Sequence, residues 1–228
     1  MTDLSVCMLY GFDLFGTVVF AMGGALVATK ERDNWFVAIA YAVLTALGGG
    51  TIRDLLLGQQ PVFWMRSPFY LVLAITVGLA TFYTSKIVQL RQEHCWLADI
   101  ISLAIFTVVG AQATISAANL LLTSPMHWAM PPLMGLLTGT GGGIIRDLLG
   151  SRSPHFMKDP YQALNSLIGG SLYSILTKTR IFSPVTIGLS ISATIGLELY
   201  CQHKRHNPYK LAEVRHRYPV SIGRSKER

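Results

Sequence analysis

The residues of this chain with the most distinctive chemistry come in two matched sets. Gly48-Gly49-Gly50-Thr51-Ile52-Arg53-Asp54-Leu55-Leu56 recurs as Gly141-Gly142-Gly143-Ile144-Ile145-Arg146-Asp147-Leu148-Leu149, displaced by 93 positions. Thr45 and Thr138 precede the two triplets by equal steps, and Asp13 and Asp99 match at a displacement of 86. Glycine weakens a helix interior by roughly 1 kcal/mol relative to alanine, so three in a row are expected to kink or break it. In hydrocarbon the freed backbone groups must then be met by other protein groups or by a water-filled cavity. Opened carbonyls, with the hydroxyls of Thr45 and Thr138 beside them, have the chemistry to replace part of a cation's hydration shell. Close helix packing is the other use of small residues. Packing seams usually space their glycines by four, which favours a lined cavity for consecutive glycines.

The charges next to the triplets carry the second kind of chemistry. An unpaired charge within a bilayer costs several kcal/mol, so Asp13 is expected to pair with Arg53 and Asp99 with Arg146, with Asp54 and Asp147 alongside. Such pairs serve either as fixed ties within each half of the chain or as parts of a gate or pathway.

These residues need elements that lipid will accept. Charged residues make up 14% of the chain, where a soluble domain has about 25%, and hydrophobic residues 51%, with mean hydropathy +0.42. From Ile100 through Ile145 there is no Asp, Glu, Lys or Arg. Runs of this kind match the roughly 17–25 residues that cross a bilayer. They predict an all-α membrane protein with seven transmembrane helices near 6–28, 35–57, 67–86, 97–121, 130–150, 161–177 and 182–200. The first is too long, and lacks the preceding basic region, to read as a cleaved signal peptide.

The repeat sets the topology. Phe20 and Gly24-Ala25 match Phe106 and Gly110-Ala111 at the same displacement as Asp13 and Asp99, and Pro68-Phe69-Tyr70 resembles Pro160-Tyr161. Each half holds three helices, and an odd number turns the second copy over in the membrane, the inverted 3+3 plan of many transporters. The expected organisation is a first repeat over 1–92, an inverted second repeat over 93–180, a seventh helix over 181–200 and a basic tail over 201–228. With the N-terminus outside, fifteen Lys and Arg fall on the cytoplasmic side and four outside, which also places the C-terminus in the cytoplasm.

Other classes of function find little support. The net charge of +7 comes largely from the tail, where eight of nineteen basic residues lie, so it points to anionic membrane lipid rather than to nucleic acid. Cys7, Cys95 and Cys201 are odd in number and far apart, and the six histidines have no ligand spacing, so neither a metal site nor a disulfide framework is expected. The triplets lack the Lys-Ser/Thr pair of a phosphate loop. No enzyme, and no cofactor, is expected.

The paired triple-glycine Arg-Asp motifs, the 3+3 arrangement and the extra seventh helix resemble a bacterial membrane-protein family, UPF0126, over roughly residues 8–200. That family is similar to the trimeric intracellular cation (TRIC) channels and has also been named the glycine transporter family. The resemblance implies a homotrimer with one pore per protomer, lined by the kinked second and fifth helices and passing potassium and other monovalent cations. Carried over by position, the kink residues are Gly48, Gly49, Gly50, Gly141, Gly142 and Gly143. The basic lipid-binding motif of the animal channels has no counterpart here. A carrier of glycine or another small amino acid would use the same helices differently, and a non-transporting membrane scaffold is the third alternative.

Overall fold

The computed structural model describes residues 3–31, 34–87, 92–117, 128–151, 154, 160–179 and 183–205. Among the described residues all regular structure is helical: α1 (Asp3–Glu31), α2 (Trp35–Leu56), a single turn α3 (Phe63–Arg66), α4 (Phe69–Ile87), α5 (Gln92–Ser116), α6 (Met130–Leu149), α7 (Pro160–Lys178) and α8 (Ser183–Arg205). The expectations for residues 118–121, for the tail from 206 onward and for Arg32, Arg91, Arg152 and Lys158 lie outside the described residues.

Local signals account for several boundaries. The Asn34 side chain accepts from the Phe36 amide at 2.9 Å and so caps the start of α2. The chain leaves α2 through Gly58 at φ +65°, a conformation that suits a residue without Cβ. Pro131 and Pro132 lie in the first turn of α6, where a missing amide proton costs no helical hydrogen bond.

Among the described residues five helices are long and apolar enough to cross a membrane, α1, α2, α4, α5 and α8. The chain is therefore a multi-pass membrane protein. Helices α6 and α7 have 20 and 19 residues but dilute their apolar side chains with glycine, threonine, serine and asparagine. They pack against α2, α5 and α8. Phe36, Val72, Ile175 and Leu189 stand exposed on the outside of the bundle, as they can where the surrounding medium is lipid.

Packing divides the helices into two sets of three. Helices α1, α2 and α4 each touch the other two, and so do α5, α6 and α7. The sets meet where α2 lies on α6 and α1 on α5, while α8 packs on α7 and α5. A core of alanines and aromatics, from Phe20 and Ala21 to Tyr70 and Phe82, fills the first set. At the α1–α5 joint the rings of Phe20 and Phe106 stack with centroids 5.0 Å apart and planes 17° apart.

Candidate functional site

The glycine triplets sit where α2 and α6 cross, and the contacts there are reciprocal. A Cβ on Gly49 would strike the carbonyl oxygen of Thr138, and one on Gly142 would strike that of Thr45. A Cβ on Gly141 would lie 3.1 Å from the Gly49 α-carbon. The flanking helices repeat the pattern: a Cβ on Gly24 of α1 would lie 2.7 Å from Thr45 Oγ1, and one on Gly110 of α5 would lie 2.6 Å from Thr138 Oγ1.

Both helices run uninterrupted through their triplets, so of the expected kink or break the break does not occur. Missing side chains at Gly49 and Gly142 let two backbones come into contact, so these glycines act as packing surfaces. Threonines here bond back to their own helix, Thr51 to Leu47 O at 2.7 Å, Thr138 to Met134 O at 2.6 Å and Thr140 to Leu136 O at 2.7 Å. Thr45 differs, because its hydroxyl is fully buried without a hydrogen-bond partner. Gly143 differs too. A Cβ there would meet nothing within 4 Å among the described residues.

Beside Gly143 lies a cavity of about 20 Å³, lined among others by Phe20, Asp99, Thr140, Arg146 and Gln162. That is room for about one water. Arg146, 3% exposed, reaches across from α6 to Asp99 on α5 through NH1 at 2.5 Å and NH2 at 3.1 Å, and also holds Asp147 through Nε and NH2 at 3.0 Å. The expected pair of Asp99 with Arg146 is therefore formed, as a bidentate bridge between helices.

The first half is arranged differently. Arg53 turns to its neighbour Asp54, with Nε and NH2 both 2.8 Å from Oδ1, and its guanidinium stands 5.6 Å from the centre of the Phe63 ring. Asp54 also accepts the Phe63 amide at 2.8 Å, and the same ring covers Gly50, where a Cβ would lie 2.6 Å from it. Asp13 accepts from the Tyr70 hydroxyl at 2.7 Å. The expected direct pair of Asp13 with Arg53 is replaced, because Asp54 and Phe63 occupy the guanidinium and Tyr70 supplies the donor Asp13 needs. Counting from Pro68 and Pro160, Tyr70 corresponds to Gln162, which borders the cavity beside Arg146.

Tyr70 and Phe63 were not among the sequence candidates. Tyr70 lay within the matched Pro68-Phe69-Tyr70 segment, which was a usable signal. Phe63 had none, since its contact with Gly50 depends on how the α3 turn folds back; Trp64 pins that turn by donating to Thr51 Oγ1 at 3.1 Å. Among the described residues no group of three His, Cys, Asp or Glu is placed to hold a metal ion.

Residues 10–86 and 96–178 each match a family model described as Glycine transporter. The chain is 36% identical over 203 residues to a UPF0126 membrane protein of Vibrio cholerae serotype O1, covering 87% of this chain and 80% of that one. It is 35% identical over 170 residues to the UPF0126 inner membrane protein YadS of Escherichia coli K12, covering 73% and 78%. Among solved structures it is similar to the TRIC trimeric intracellular cation channel orthologue from Rhodobacter sphaeroides, with TM-score 0.76 and 30% identity over 82% of this chain and 93% of that one.

Proposed function

This chain belongs to the family described as Glycine transporter, whose named relatives are UPF0126 membrane proteins, and from that premise we propose that it is a channel for monovalent cations, with potassium the main one. It would work as a homotrimer in the inner membrane, with one pore in each protomer. The likeness in fold and sequence to a trimeric cation channel is the observation that carries this proposal.

The site geometry supports it. Each half places one arginine among two carboxylates, Arg53 with Asp54 and the nearby Asp13, Arg146 with Asp99 and Asp147. Formally this leaves an excess negative charge in each half, which attracts cations and repels anions. The α2–α6 crossing, with Thr45, Thr138, Gly48, Gly49, Gly50, Gly141 and Gly142, would form the constriction, and Thr140 and Gly143 the wall of its approach. Reciprocal contacts at the crossing also support two repeats, 1–92 and 93–180, related by inversion across the membrane, followed by the helix over 181–200. The basic count supports an outside N-terminus and a cytoplasmic C-terminus.

The family's description favours a second reading, a carrier of glycine or another small amino acid. Purified protein in liposomes separates the two. A potassium gradient giving a Nernstian reversal potential supports the channel. Saturable glycine counterflow without conductance overturns it in favour of the carrier.

A further inference from the structure

A run of buried polar side chains away from the α2–α6 crossing lies between α7 and α8. Along α8, Thr186, Ser190, Thr194 and Glu198 recur every four residues, and each is at most 2% exposed. Glu198 and Thr194 face α7 in antiparallel register: Asn165 Nδ2 donates to Glu198 Oε2 at 2.7 Å, and a Cβ on Gly169 would strike Thr194 Oγ1. The Thr194 hydroxyl donates to Ser190 O at 2.8 Å, whereas those of Thr186 and Ser190 are buried without partners.

Glu198 is a carboxylate within a membrane-spanning stretch, Pro184–Lys204. Its other oxygen accepts from Gln202 Nε2 at 3.3 Å, so both of its donors are neutral amides. Among the described residues no Lys, Arg or His pairs with it. On its own helix Lys204 sits over the Tyr200 ring at 5.8 Å and His203 is exposed, and on α5 Asp99 is held by Arg146 from α6. An intramembrane carboxylate with no positive partner costs several kcal/mol, and this one is held in place by a built pair of amides. Among the described residues Asn165 Oδ1 accepts from the weak Cys201 Sγ donor at 4.0 Å, one turn beyond Glu198 on α8, which leaves acceptor capacity beside the carboxylate.

We propose that Glu198 and Asn165 form a binding site for a monovalent metal cation at the α7–α8 seam, apart from the path through the α2–α6 crossing. Carboxylate and amide oxygens are hard ligands suited to alkali cations. A single carboxylate sets the charge: one monovalent ion leaves the buried site neutral, whereas a divalent ion would leave it positive. The cation locks the inner part of α7 to α8.

The test is a thermal melt of the purified full-length protein while KCl or NaCl replaces N-methylglucamine chloride at constant ionic strength. A ligand bound only by the folded state raises the melting temperature with its logarithmic concentration, here by about 3–6 °C for each tenfold rise above the dissociation constant. Glu198→Gln keeps an acceptor for Asn165 but removes the charge, and it abolishes the dependence. Asn165→Asp adds a second carboxylate and moves the response from potassium to calcium. A wild-type melt indifferent to both alkali ions overturns the proposal, as does a Glu198→Gln protein that keeps the wild-type response. Should Glu198→Gln fail to fold, Asn165→Asp decides alone, and an unchanged ion preference there overturns the proposal. Liposome flux is retained in Glu198→Gln, so this outcome stands apart from the channel assignment.

Discussion

The hydroxyl of Tyr70 donates to Asp13 at 2.7 Å, joining α4 to α1 across 57 residues of sequence and taking the place at Asp13 that an arginine fills at Asp99. Removing it in Tyr70→Phe leaves a half-buried carboxylate without that donor, at a cost of about 1–3 kcal/mol. Melting temperature should fall by several degrees. In an Asp13→Asn background the same substitution should cost much less, and a double-mutant cycle measures the coupling. Equal losses in both backgrounds would show that the hydrogen bond is not what Tyr70 contributes.

Arg146 and Arg53 are equivalent in sequence but not in contacts. Arg146→Ala takes the bidentate guanidinium away from Asp99, and breaking a largely buried pair of this kind costs about 3–5 kcal/mol. Arg53→Ala strands Asp54, which keeps its bond from the Phe63 amide. We expect Arg146→Ala to melt at a clearly lower temperature than Arg53→Ala. Arg146→Lys should recover little, because an ammonium cannot reproduce the bidentate grip on Asp99.

The three glycines of α6 should separate by substitution. Gly142→Ala drives a methyl group into the Thr45 carbonyl and should sharply lower stability or oligomer yield. Gly143→Ala has open space among the described residues and should be neutral or stabilising by up to about 1 kcal/mol through helix propensity. Gly143→Leu should fold normally and reduce potassium flux by filling the approach. Normal flux in that variant would remove Gly143 from the pathway.

Thr45→Val replaces a buried hydroxyl that has no partner with a methyl group of similar size. Stability should be unchanged or higher, since a buried unsatisfied polar group is removed. Flux should nevertheless fall if the hydroxyl serves the permeating ion. Thr138→Val, which loses a bond to Met134 O, provides the comparison. Wild-type flux in Thr45→Val would assign that hydroxyl no part in conduction.

For orientation, reporter fusions to the N-terminus, to the loop over 29–34 and to the C-terminus should place the first outside and the other two in the cytoplasm. Both termini on one side would contradict the proposed inverted arrangement.

The sequence by itself determined the helical membrane class, the positions of the long helices and the pairing of equivalent residues, because each depends on local composition or on self-similarity along the chain. A run without charge reports its solvent wherever it lies, and a recurring Gly-Gly-Gly-x-x-Arg-Asp segment is visible without coordinates. It also gave the Asp99–Arg146 pair, for which burial leaves few alternatives. Only the tertiary structure decided what the glycines do and how the first charge cluster is satisfied. Three consecutive glycines weaken a helix locally, but contact between α2 and α6 keeps both helices continuous and turns Gly49 and Gly142 into surfaces where backbones touch. Asp13 had two eligible partners. The choice fell to Tyr70 because α4 brings its hydroxyl within 2.7 Å while Asp54 and Phe63 hold Arg53, a competition among groups from separate helices that no spacing along the chain encodes.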